Sequence, residues 1–312
     1  MTHPSRRIIA LATAGIMTVA CGGDPVLPED PPNTIESSSP LKVLVYTRTT
    51  GFRHPSIFAA IPAIQSLADN AGFEVNFSED PTGFTSANLA EVDVVAFVNT
   101  TGQVLDTRAQ RQAFETFIRN GGGFVGVHAA ADTEQDWPFY SELIGARFMA
   151  HPVLQQPGTL ILEDPSHPTL DFLGDSRWPL LLEEFYSFSS NPRSKVRVLM
   201  RLDESDNLFL NPNTSCDPSG PTFPQGFDAY MGDHPMSWCH DNLGGRAWYT
   251  ALGHGAHMYV DSEFRQHVLR GILTAGKRIP ANCTPLPAPA GLPEYRPPEL
   301  RACYELVLPP LN

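Results

Sequence analysis

Residues 121–133 read Gly121-Gly122-Gly123-Phe124-Val125-Gly126-Val127-His128-Ala129-Ala130-Ala131-Asp132-Thr133. Three glycines cannot propagate a helix, so they end one. That helix runs from Arg108 to Asn120, where Ala113, Phe114, Phe117 and Ile118 share an apolar face. After the glycines, Phe124 to His128 is short, apolar and β-rich, as a strand buried on both faces must be. Helix, glycine stop and buried strand together make half of a βαβ unit.

The same grammar recurs upstream. Lys42 to Thr47 and Val92 to Val98 read as buried strands, and Phe73 to Glu79 alternates like a third. Between the first two, Ile57, Ile61, Ile64 and Ala68 recur at helical spacing after Pro55. Downstream, strands are expected at Thr159 to Leu162, Lys195 to Leu202, Pro235 to His240 and Arg246 to Leu252, with a closing helix from Ser262 to Lys277. Strands separated by helices predict an α/β fold: a doubly wound, mostly parallel, flavodoxin-like sheet sandwiched by helices. Ligands in such sheets bind at the carboxyl ends of strands, which points to Thr47–His54, Asn99–Gln103 and His128–Thr133.

The 312 residues are 42% hydrophobic and 18% charged, enough for a sizeable core. With 34 acidic against 21 basic side chains and a net charge of −13, there is no basic surface for phosphates, and no nucleic-acid partner is expected. Of the 30 prolines, five lie between Pro25 and Pro40 and nine after Ile279. The domain is therefore expected over residues 41–278, with an irregular insertion at about 207–233 and a Pro-rich tail over 279–312.

Residues 1–21 read as an export signal. Arg6 and Arg7 precede a short apolar stretch, and small residues lead into Cys21, as at a lipoprotein processing site. Either lipidation at Cys21 or ordinary cleavage near Ala20 takes the protein out of the cytoplasm. The first places it in the bacterial cell envelope, lipid-anchored, with Gly22 after the cysteine pointing to the outer membrane or periplasm. Residues 22–40 would be a solvated tether. Outside the cytoplasm the other four cysteines favour disulfides, and proximity in sequence suggests Cys216–Cys239 and Cys283–Cys303. A metal site is the rival reading, but no CxxC spacing is present.

Most of the ten histidines stand beside glycine, proline or a strand end. His54, His128 and His254 each follow a strand, so all three can converge on one crevice, where imidazoles can bind a divalent metal such as zinc or exchange protons. Gly126 to Ala130 has the form of a nucleophile elbow. The protruding residue is His128 rather than Cys or Ser, which argues against glutamine amidotransfer. Glu183, Glu184 and Tyr186 add carboxylates and a phenol suited to acid–base work. Trp137, Tyr140, Trp238 and Tyr249 are aromatics that could stack on sugar rings or build the core.

The segments GFRH (Gly51–His54), GGGFVGVHAAADT (Gly121–Thr133), FMAHP (Phe148–Pro152), EEFYSF (Glu183–Phe188), MSWCH (Met236–His240) and GGRAWYTALGHG (Gly244–Gly255) resemble the ThuA-like family. That family is named for trehalose utilisation and has a class I glutamine amidotransferase-like fold. The resemblance spans about Lys42 to Lys277 and departs from the family at Glu183, often Asp there, and in the Cys-containing insertion. It implies carbohydrate metabolism, with trehalose-type sugars or 3-keto-glycosides as substrate. The expected catalytic residues are His128, Glu184, His254 and Tyr186, with His54, His128 and His254 around a metal. Arg246, Trp238, Tyr249 and Asp132 are the expected substrate-binding residues. Two functions follow: a hydrolase, lyase or isomerase with no nucleotide cofactor, or a non-catalytic, surface-tethered carbohydrate-binding lipoprotein.

Overall fold

The structure, a computed structural model, describes residues 39–152, 155–205 and 225–302. The signal segment with Cys21, nearly all of the tether, Cys216 and Cys303 lie outside the described residues.

The chain runs β1 (Lys42–Tyr46), α1 (Ile57–Ala71), β2 (Glu74–Ser78), α2 (Ser86–Leu89), β3 (Val94–Val98), α3 (Arg108–Arg119) and β4 (Gly123–Val127). It continues through α4 (Pro138–Ile144), β5 (Phe148–Ala150), β6 (Gln156–Leu162), β7 (Arg177–Glu183), β8 (Ser187–Phe188) and β9 (Arg197–Leu202). The last elements are β10 (Gln225–Asp228), β11 (Pro235–His240), β12 (Ala247–Thr250), α5 (Ser262–Ala275) and β13 (Glu299–Ala302). One nine-stranded sheet has the order β2-β1-β3-β4-β12-β11-β9-β6-β7.

The run from β2 to β12 is parallel throughout, and from β12 onward each neighbour is antiparallel. Only β11 and β6 are reversed, so most strands share one direction. Every residue of β3 and β4 is buried, as their unbroken apolar runs require in a sheet covered on both faces. Helix α1 buries Ile57, Ala60, Ala63, Ile64, Leu67, Ala68 and Ala71, while Ile61 stays half-buried, and it ends at Gly72 with φ 73°. A capping box between Thr107 and Gln110 starts α3.

Three expectations need correction. The disulfide joins Cys239 to Cys283, with Cα atoms 5.2 Å apart, and neither expected pairing holds. Sequence proximity misled because the tail doubles back: Ala281 and Cys283 are buried, and Cys283 meets Cys239 in the interior strand β11. The tail over 279–302 is accordingly part of the domain, its β13 pairing antiparallel with β10. Strand β10 also shows that the insertion at 207–233 is not irregular throughout.

Candidate functional site

The carboxyl ends of β1, β3, β4 and β12 carry the site. His54 follows β1 through a loop that Thr101 holds down: Thr50 N and Gly51 N donate to Thr101 O at 2.9 and 3.4 Å, and Thr101 Oγ1 donates to Phe52 O at 2.7 Å. A Cβ on Gly102 would lie 2.4 Å from Thr50 Oγ1, so the approach of the two loops demands glycine there. Beyond β3, Asn99 adopts φ 53° and its Nδ2 donates to Ser56 Oγ and Tyr259 OH, each at 3.1 Å. That amide pins the loops of His54 and His254 together.

His128 stands at the tip of β4 with φ 50°, the strained backbone expected of an elbow. A Cβ on Gly126 would meet Ile144 Cδ1 at 2.7 Å, so the strand below the elbow has no room for a larger residue. His128 Nδ1 lies 2.7 Å from Ala251 O. A carbonyl only accepts, so Nδ1 carries the proton and Nε2 offers a lone pair to the cleft. His254 follows β12 in a turn clamped by Glu183, whose carboxylate accepts from Gly253 N at 2.8 Å, His254 N at 3.2 Å and Glu184 N at 2.8 Å.

Glu184 reaches this point from the far edge of the sheet. After β7 the chain crosses back over the strand ends, held by His234 Nε2 to Tyr186 O at 2.8 Å and Ser187 Oγ to Ala229 O at 2.7 Å. Glu204 Oε1, 2.7 Å from His234 Nδ1, braces that imidazole from behind. Glu184 Oε2 then lies 2.9 Å from His254 Nδ1 and 3.4 Å from His128 Nε2, and Oε1 lies 3.2 Å from His151 Nδ1. His254 Nδ1 is also 3.3 Å from His128 Nε2.

Donor atoms of His54, His128, Glu184 and His254 all fall within 4.8 Å of one another. Their rings pack edge to face at 4.9 to 5.2 Å, and the Tyr186 ring covers His128 at 4.1 Å. Burial, reinforced by the neighbouring His128 and His254, drives the His54 pKa down to about 3, so its imidazole stays neutral. Burial acts to raise Glu184, but the neighbouring imidazoles of His128 and His254 outweigh it and hold the carboxyl far below its usual range. Burial likewise acts to lower His254, yet the Glu184 bond and charge leave it raised. Burial pushes the Tyr186 phenol well above 10.

The expected metal trio and the expected catalytic set therefore meet in one cluster. The expected substrate-binding set does not. Trp238 and Tyr249 are each 1% exposed and pack against one another with tilted rings at 4.5 Å in the core, with Trp238 Nε1 donating to Ile144 O and Tyr249 OH to His128 O. Interior strands carry them, which leaves them no surface. Arg246 precedes β12, at the opposite end of the sheet from His128, and is paired with Asp241 at 2.8 Å. Asp132 does lie beside the cluster, close enough to influence His151 and Tyr186, and burial raises its carboxyl. Sequence reasoning passed over His151 and the clamp made by Glu183. His151 sits beside a proline in FMAHP, the loop signal that marked the other histidines.

Residues 42–275 match the family described as ThuA, trehalose utilisation. Among solved structures, a ThuA-like protein from Bacteroides uniformis is 25% identical with a TM-score of 0.60, covering 75% of this chain and 91% of its own. A ThuA-like protein from Parabacteroides merdae is 19% identical with a TM-score of 0.58, covering 85% and 99%. A cytoplasmic protein from Salmonella typhimurium, 11% identical with a TM-score of 0.50, shares the fold over 75% of this chain and 99% of its own. No curated protein matches at a significant level. With the family match running from β1 to the end of α5, over a glutamine amidotransferase-like fold whose elbow presents an imidazole, the chain belongs to the ThuA-like, trehalose-utilisation family.

Proposed function

We propose that this is an exported, lipid-anchored enzyme of the bacterial envelope that acts on a carbonyl-bearing sugar, such as a 3-keto-glycoside, at a divalent metal held by His54, His128, His254 and Glu184. The observation that carries the reading is the convergence of three imidazoles and one carboxylate, drawn from four separate segments, within 4.8 Å. The donors fit a metal. His128 Nε2 and Glu184 Oε2 present lone pairs to one another at 3.4 Å, an arrangement that a cation relieves. Among the described residues, the buried His54 Nδ1 has no hydrogen-bond partner, as a nitrogen open to a ligand would have. Three imidazoles and a carboxylate suit zinc and similar transition metals. His128 is oriented through its other nitrogen by Ala251 O, the usual support for a ligating histidine.

When bound, such an ion supplies a Lewis acid for a carbonyl oxygen. The chain supplies the rest. With Oε2 and His254 Nδ1, 2.9 Å apart, turned to the ion, Glu184 Oε1 is left to accept a proton from the carbon beside the carbonyl. His151, its side chain 34% exposed and 3.2 Å from Glu184 Oε1, connects that carboxylate to solvent. Isomerisation, elimination and hydrolysis of a keto-glycoside all start from this proton transfer. The sugar-binding alternative relied on Trp238 and Tyr249, and their burial leaves it without its contact residues.

Elemental analysis of the purified protein against a His54→Ala, His128→Ala double variant tests the reading. A stoichiometric divalent ion in the first and none in the second, together with lost turnover of 3-keto-glycosides, is the expected result. A wild-type protein that takes up no ion from zinc, manganese or nickel solutions would sink it.

A further inference from the structure

Phe52 is a large apolar side chain left 64% exposed, and its ring lies edge to face against His54 at 4.9 Å. An exposed phenylalanine on a loose loop would need no explanation. This one is on a loop fastened on both sides of it: Thr50 N, Gly51 N and Phe52 O all bond to Thr101, and residues 49 and 101 form a parallel bridge. Gly51 itself packs so close to Thr101 that a Cβ there would lie 3.2 Å from Oγ1. The backbone is thus fixed before any ligand arrives, and little further freedom remains to be lost on binding.

Its place relative to the cluster sets what it can hold. The His54 ring that Phe52 touches also contacts the other two imidazoles of the cluster, with centroids 4.9 Å from His128 and 5.1 Å from His254. Phe52 is therefore linked to His128 and His254 through a single shared neighbour, the His54 imidazole. A substrate whose first ring meets the donor atoms would extend its next ring toward Phe52.

The nearby charges favour an uncharged ring. Arg53 is the adjacent cation, but it is bound to Glu79 at 2.6 Å and to Thr47 O, and it leans over Phe58 at 5.7 Å. With Arg53 already paired, no free cation among the described residues stands beside Phe52 to hold an anionic group such as a sugar phosphate.

We infer that Phe52 is a binding platform for the second ring of a neutral disaccharide or aryl glycoside, making the site selective for two-ring substrates over free monosaccharides. The inference rests on the proposed function for the identity of the first ring. Calorimetric binding of trehalose and of glucose to the full-length metal-loaded protein, to Phe52→Ala and to Phe52→Trp tests it. The wild type is expected to prefer the disaccharide by about tenfold, the worth of one aromatic contact. Phe52→Ala should erase that preference, and Phe52→Trp should restore it. No binding of the disaccharide, or a preference unchanged in Phe52→Ala, overturns the inference. Turnover of 3-keto-glycosides is measured separately: a disaccharide preference without turnover by the wild type defeats the catalytic reading and leaves the platform standing.

Discussion

His128 Nε2 and Glu184 Oε2 stand 3.4 Å apart, and because the other nitrogen of His128 is committed to Ala251 O, the two present lone pairs to a single point. His254 Nδ1, 2.9 Å from the carboxylate and 3.3 Å from the imidazole, supplies the one proton that quiets them. On the function proposed above, a cation would compete with that proton for the same place, and loading would exchange one for the other.

The clamp behind this arrangement is Glu183. Its carboxylate is fully buried and accepts three backbone N–H bonds from residues 253, 254 and 184. Glu183→Gln replaces an anionic acceptor by an amide with one oxygen, and charge-assisted bonds are the stronger kind. We expect a loss of about 1–3 kcal/mol in urea unfolding, and weaker metal retention on dialysis against a chelator.

Low pH should destabilise the domain through His267. Burial between Trp248 and Trp178, at 4.7 and 5.8 Å, lowers its pKa to about 3. The unfolded state binds the proton near 6.5 and the folded state does not, so stability is full above pH 6.5 and falls as pH drops toward 3. Between pH 6.5 and 5 this one residue accounts for on the order of 2 kcal/mol. Denaturant titrations of wild type and His267→Phe at pH 7.5 and 5 check this; the variant should show the smaller drop.

Reduction of the Cys239–Cys283 bridge should weaken the fold. It spans 44 residues, and closing a loop of that size is worth about 4 kcal/mol on chain-entropy grounds. Peptide mapping without reductant should recover the Cys239–Cys283 pair, and a Cys239→Ala, Cys283→Ala variant should melt well below wild type.

Trp238→Phe separates core from binding surface. The indole is buried and its Nε1 donates to Ile144 O at 2.8 Å. The substitution should cost about 1–3 kcal/mol through the lost bond and volume. Sugar affinity of the folded fraction should not change, and a change would return Trp238 to the site.

The parallel half of the sheet was legible because its strands are continuous apolar runs and each helix between them carries its own stop or cap, as at Gly121–Gly123 and Gly72. From that topology the strand-end rule located His54, His128 and His254 without knowing any contact. Strand β7 was not legible: Pro179 interrupts it, and Leu181 and Leu182 face solvent at 90% and 43% exposure, breaking the alternation that marks a half-buried strand. The disulfide was misread for a related reason, since a strand as short as β13 in a Pro-rich tail gives no sign that the tail returns to the domain. Aromatic residues mark stacking surfaces and cores with the same letters, so Trp238 and Tyr249 could be assigned only once their burial was seen.

The four donors come from positions 54, 128, 184 and 254, spread over nearly the whole folded region and delivered by strands at the centre and the edge of the sheet. No fragment of the growing chain holds more than part of the set, and the last imidazole is synthesised after the other three donors. On the function proposed above, ion capture would therefore come only with completed folding, because a chain that has not closed its sheet has not yet brought the four donors together.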